Sequence, residues 1–107
     1  IREYKELLSI LVEAKGLAFY SEYKAIETIN VCFDKGIMVP KQISVKGYDD
    51  SVYASMVRPK LTTVHQDIPQ KAHVALKRLL KLIQGETLDE LNIKNPVYLV
   101  KRDSVRE

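Results

Sequence analysis

Residues 3 to 14 carry Tyr4, Leu7, Leu8, Leu11 and Val12, the i, i+3, i+4, i+7, i+8 stripe of an amphipathic helix. Lys15-Gly16 closes it, because glycine enters the left-handed C-terminal conformation without a Cβ penalty. The period then changes. Leu17-Ala18-Phe19-Tyr20 is a continuous apolar run between polar neighbours, the pattern of a buried parallel strand. Ser21 is placed to cap the next helix, which runs to about Lys35 with Ala25, Ile26, Ile29, Cys32 and Phe33 inward and Gly36 as its stop. Met38 to Gln42 connects to a strand at Ile43-Ser44-Val45-Lys46, and residues 51–57 fit one or two helical turns cut off by Pro59. A β-branched strand follows at Leu61-Thr62-Thr63-Val64. Asp67 caps a further helix with Pro69 in its first turn, an inward stripe of Ala72, Leu76, Leu79, Leu80 and Ile83, and Gly85 as its stop. Pro96 opens a last strand, Val97-Tyr98-Leu99-Val100, ahead of a charged tail.

The order α-β-α-β-(α)-β-α-β predicts the α/β class, a parallel sheet with flanking helices and right-handed crossovers. With 107 residues, 46% hydrophobic and 29% charged, the chain is expected to be globular rather than disordered. It opens on Ile1 with the apolar pattern under way by Tyr4, and is read as a fragment of a longer protein. The 17 basic and 14 acidic residues are interspersed, so the net charge of +3 describes a solvated surface rather than a nucleic-acid face. The single Cys32 excludes an internal disulfide, which fits a reducing cytoplasm, and its place on an apolar stripe reads as core. No run approaches the roughly 18 apolar residues of a membrane span.

Chemistry concentrates after the strand at Ile43-Ser44-Val45. Gly47-Tyr48-Asp49-Asp50 sits at its carboxyl end, the edge of an open α/β sheet where ligands collect. Gln66, which both donates and accepts hydrogen bonds, ends the Leu-Thr-Thr-Val run. Adjacent on a strand, Asp49 and Asp50 face opposite ways, so they do not form a glycosidase pair. Asp50 is read as the cap of the short helix that follows. Catalytic motifs are lacking: no Gly-x-Ser-x-Gly elbow, no His-Glu-x-x-His, no Cys-x-x-Cys and no phosphate loop. His65 and His73 stand eight apart without ligand partners, so neither a metal nor another cofactor is expected. Lys77, Arg78 and Lys81 read as a solvated helix face, and Lys101-Arg102 as a solvated strand end.

Several strings in register resemble one family. Lys35-Gly36-Ile37-Met38-Val39-Pro40, Ile43 through Asp50, Arg58-Pro59, Leu61-Thr62-Thr63-Val64 with Gln66, and Leu99-Val100-Lys101-Arg102-Asp103-Ser104 look like the C-terminal part of a LacI/GalR-type transcriptional regulator. They fall in the effector-binding core, which has the periplasmic-binding-protein type I fold. The resemblance covers residues 17 to 105. It implies that residues 1–60 and 93–107 belong to a C-terminal subdomain and residues 61–92 to an N-terminal one. The DNA-binding helix-turn-helix is then not in this chain.

The resemblance also implies site residues. The family's first Asp after Gly-Tyr, here Asp49, hydrogen-bonds effector hydroxyls or ring nitrogens, and Gln66 occupies a second polar contact position. Tyr48 lines the hinge, as packing or as contact. Ser21 and Glu22 match a pair that is usually Asn-Asp, so Ser21 is both an N-cap and a contact position that has lost its amide donors. Val57 and Ile26 fall where two such subdomains pack in a homodimer, against the alternative of ordinary core. The implied function is a cytoplasmic repressor-type sensor of a sugar or small metabolite that controls operator DNA, with no membrane partner. The alternative is a periplasmic-type sugar-binding protein for transport; an α/β enzyme with its active site outside this chain stands third.

Overall fold

The computed structural model describes residue 6, residues 15–90 and residues 92–106. The helix expected over residues 3–14 lies outside the described residues. The elements are β1 (Gly16–Ala18), α1 (Glu22–Asp34), β2 (Ser44–Lys46), α2 (Val52–Met56), β3 (Thr63–Gln66), α3 (Ile68–Ile83) and β4 (Val97–Val100). Strand β1 pairs with β2 in parallel, with Leu17 opposite Val45. Parallel bridges at Lys46–Thr62 and Asp49–His65 continue the ladder toward β3, and β3 pairs with β4. The α/β parallel architecture expected from the sequence is thus the one observed. The third strand begins at Thr63 rather than Leu61: the Leu61 amide donates to the Ala54 carbonyl and the Thr62 amide to Ser104 Oγ rather than to a neighbouring strand.

The chain divides into two compact units. One comprises residues 1–65 and 99–107, and the other residues 66–98. In the first, α1 covers the sheet. Ala25, Ile29, Val45, Ala54 and Leu61 form one buried cluster, with Phe19, Ile26, Val39 and Val57 packed against it. Val31, Cys32 and Ile43 form a second. Each such aliphatic side chain removed from water contributes about 1.5–3 kcal/mol, so these few residues carry much of the unit's stability. Phe33, expected inward, is 83% exposed. At about 100° per residue it sits about 80° around the helix from Ala25, on the flank of the stripe that Ala25, Thr28, Ile29 and Cys32 bury.

In the second unit, Asp67 caps α3 by accepting from the Gln70 amide at 3.0 Å, with Pro69 in the first turn. Its stripe is not inward as expected: Leu76, Leu79, Leu80 and Ile83 are all exposed. Among the described residues of this unit there is no second helix to cover them. Arg78, expected on a solvated face, donates to the Glu90 carbonyl.

Candidate functional site

Two strand ends and one helix start build the site. Strand β1 leads through Phe19, whose amide donates to the Lys46 carbonyl at 2.8 Å, to Tyr20 and Ser21. Ser21 adopts extended backbone and caps α1, its hydroxyl accepting from the Lys24 amide at 3.5 Å. Strand β2 leads into the loop Gly47–Ser51. Both arrive at the carboxyl ends of neighbouring parallel strands, the place where connecting segments diverge and leave a crevice.

That crevice is a recess of about 780 Å³, lined by Tyr20, Ser21, Ile26, Asn30, Asp49 and Tyr53 together with Glu27 and Ser51. The structure therefore brings Ser21 and Asp49 together. Tyr48 is not in the lining; it is half-buried, with Lys46 Nζ 6.0 Å from its ring centroid. Gln66 is half-buried and opens the second unit. Carboxylate, hydroxyl and amide groups beside tyrosine rings suit a ligand with many hydroxyls and apolar ring faces. No Lys or Arg side chain is in the lining.

Asp49 and Asp50 have φ of 101° and 53°, a region that costs a non-glycine residue about 1–3 kcal/mol and persists only where neighbours fix it. The neighbours are identifiable. The Asp49 amide donates to the Val64 carbonyl at 2.9 Å, and the Asp50 amide to Thr63 Oγ1 at 3.3 Å. Glu22, only 7% exposed, accepts from the Ser51 amide and from Thr63 Oγ1, each at 2.8 Å, and from the Ser51 hydroxyl. One buried carboxylate thus ties the start of α1 to the end of the loop and to β3. Gly47 is needed beside it. A Cβ there would lie 2.8 Å from Leu61 Cδ2 and 3.3 Å from Glu22 Cγ.

Asp50 does not cap α2, contrary to the expectation. Ser51 is the N-cap residue, without a side-chain cap bond. The Asp50 carboxylate turns the other way, 2.9 Å from His65 Nδ1 and accepting from Arg102 Nη2 at 2.6 Å. Burial alone would push its pKa up; the hydrogen bonds from Arg102 and His65, and their charges, outweigh that and hold it below the ordinary Asp value. Arg102 is correspondingly not a solvated strand end: its side chain is half-buried and also donates to the Leu61 carbonyl at 2.9 Å. Glu22, His65 and Arg102 are the residues that sequence reasoning passed over as structural partners. A first-turn acid, a lone histidine and a strand-end arginine carry no local pattern that separates them from solvated polar groups. Among the described residues no group of three or more His, Cys, Asp or Glu is placed to hold a metal ion.

A parallel strand-and-helix ladder with a recess at its strand ends defines an α/β domain. The chain belongs to the periplasmic binding protein-like domain family, whose pattern matches residues 3–105. Its relatives are LacI/GalR-type regulators, and it corresponds to part of their effector-binding core. It is 35% identical over 100 residues to the HTH-type transcriptional regulator RegA of Clostridium saccharobutylicum, covering 94% of this chain and 30% of that protein. A lac repressor dimer bound to operator and the anti-inducer ONPF superposes with a TM-score of 0.83 at 31% identity, over 94% of this chain and 36% of that one. A transcriptional regulator CelR–cellobiose complex does so with a TM-score of 0.84 at 27% identity, over 94% and 31%. The chain spans no more than about a third of the length of the curated relatives it matches, between 24% and 39% identical to them. No helix among the described residues is long and apolar enough to cross a membrane.

Proposed function

We propose that this chain is the C-terminal part of the effector-sensing core of a cytoplasmic LacI/GalR-type regulator, in which a sugar or small metabolite controls binding to operator DNA. The observation that carries the reading is the recess that joins Ser21 and Asp49 at the ends of β1 and β2. Asp49 takes a pair of effector hydroxyls on its two carboxylate oxygens and Ser21 adds a hydroxyl contact; Gln66 and Tyr48 are polar contacts that the family resemblance implies and do not line this recess. The protein acts by binding, not catalysis. The similarity to regulators favours this over a transport receptor of the same fold. The unit of residues 1–65 and 99–107 is read as part of the C-terminal subdomain, and residues 66–98 as part of the N-terminal one.

The regulator is read as a homodimer with Val57 and Ile26 at its interface. Both are half-buried, and beside Val57 the side chains of Val52 and Met56 are exposed, an apolar flank that a second copy would cover. The helix-turn-helix that reads the operator is placed outside this chain. An effector shifts the operator-binding equilibrium only by its differential affinity for the two states.

The test uses the full-length gene product. Calorimetry against a panel of neutral sugars is expected to find one that binds, and Asp49→Asn is expected to weaken it at least tenfold, about 1.4 kcal/mol, with operator affinity in the absence of sugar unchanged. Undiminished sugar affinity in that variant would remove Asp49 from the site.

A further inference from the structure

We propose that Asp50 is the positioning residue through which the effector site acts on the two passages of the chain between its units. The proposal rests on the effector-sensing reading above. One carboxylate holds both passages. On one side it meets His65, the last residue of the larger unit before the chain leaves at Gln66, at 2.9 Å. On the other it accepts from Arg102 at 2.6 Å, just after the chain returns at Leu99. Arg102 extends the hold, its side chain donating to the Leu61 carbonyl and its backbone amide to Thr62 Oγ1, both at 2.9 Å. All of these residues lie within the larger unit, so the clamp is a property of one body.

The second link is backbone. Asp50 follows Asp49 directly, and both have positive φ, with the Asp49 amide held by the Val64 carbonyl at 2.9 Å. A peptide between two residues in that region, tied on one side, has little slack. A displacement of the Asp49 carboxylate by a bound ligand is therefore carried to Asp50. The two side chains diverge, Asp49 exposed in the recess and the Asp50 side chain only 15% exposed against its partners. One acid reads the ligand and the next transmits to the strands. An exposed ion pair could not do this, since it is screened and loosely held; a half-buried carboxylate shared between two fixed donors is neither.

The test again uses the full-length protein, with whichever neutral sugar of the panel above raises its melting temperature most. Asp50→Asn is expected to keep the Kd for that sugar within about threefold of wild type. The ratio of operator affinities without and with the sugar should fall toward 1, from an allosteric ratio that typically lies between about 5 and 150. A residue that only staples the fold lowers Tm and leaves that ratio alone, so an unchanged ratio overturns the proposal. Loss of sugar affinity equal to that of Asp49→Asn also overturns it, by making Asp50 a ligand contact. Should Asp50→Asn not fold, Arg102→Lys keeps the charge but not the second donor, and is judged by the same two measurements. If no sugar moves the wild-type Tm and operator binding does not respond, the functional reading fails on its own. Hydrogen exchange then decides the clamp: Asp50→Asn must speed exchange of the amides at residues 63–66 and 99–102 about tenfold or more, and equal rates refute it.

Discussion

Removing the Glu22 side chain is the most telling perturbation of the site's scaffold. The carboxylate is 7% exposed and accepts three hydrogen bonds, from the Ser51 amide, the Ser51 hydroxyl and Thr63 Oγ1. Hydrogen bonds to a charged acceptor are worth about 1.5–3 kcal/mol each net. In Glu22→Ala the two hydroxyls can turn toward other acceptors, but the Ser51 amide is fixed, and an orphaned donor costs about 1–3 kcal/mol more. Releasing the carboxylate from burial offsets several kcal/mol of that sum. The expected loss is about 3–5 kcal/mol, the balance of those opposing contributions. Glu22→Gln keeps one oxygen for Ser51 and turns its amide toward Thr63, whose hydroxyl can reverse to accept, so it should lose only about 1–2 kcal/mol. Urea denaturation of the full-length protein, followed by tryptophan-independent far-ultraviolet dichroism, gives both values. Because this network fixes the loop carrying Asp49, sugar affinity measured well below the transition should fall in the same order, Ala below Gln below wild type. An alanine variant within about 1 kcal/mol of wild type would refute the reasoning, since no arrangement of three such donors is that indifferent to losing its acceptor.

Three further outcomes follow from the same geometry. Gly47→Ala forces a Cβ to 2.8 Å from Leu61 Cδ2, and Leu61 is fully buried, so overpacking should cost about 1–3 kcal/mol in a denaturation series. Asp50 has a folded pKa below its unfolded one, so the unfolded chain binds the extra proton between the two values. Its contribution is present above the ordinary Asp range and is lost as pH falls through the lowered value; Asp50→Asn should flatten that acid limb of the stability–pH curve, read by urea midpoints at a series of pH values. Val57→Asp, placing a charge on the proposed two-fold contact, should convert the full-length dimer to monomer in sedimentation velocity. Persistence of the dimer would return Val57 to the intrachain core.

Much of the architecture was legible because burial imposes period. In α1 the residues Ala25, Ile29 and Cys32 recur at helical spacing and are the ones buried, and Ser21 caps where a short polar residue meets the first turn. Val45 in β2 is fully buried between partly exposed neighbours, which the short run at Ile43–Lys46 announced. Where prediction slipped, a tertiary choice overrode the local one. Phe33 matches the stripe in hydrophobicity but sits on its flank, and α3 has the right stripe with nothing in its own unit of the described chain to bury it. Periodicity reports which face is apolar; it does not report whether a partner is present.

The polar scaffold was much less legible, and the reason is sequence separation. Glu22 reaches Ser51 and Thr63, 29 and 41 residues away, and Arg102 reaches Asp50 across 52. No window of residues contains such a pairing, and single acids and arginines look alike whether solvated or buried. The adjacent pair Asp49-Asp50 shows what a local reading does and does not capture. The two neighbouring carboxylates do diverge, but not by strand alternation, since neither residue belongs to β2 or β3. The local pattern gives no hint that both residues sit at positive φ, or that the second acid finds its partners on two distant segments rather than on the helix it precedes. That conformation is costly alone, and it persists because Val64, Thr63 and, through Ser51, Glu22 each hold one end of the loop. The strain at the acid facing the recess is therefore maintained by the same bonds that join it to β3, which makes the proposed ligand contact and strand position properties of one network rather than of two.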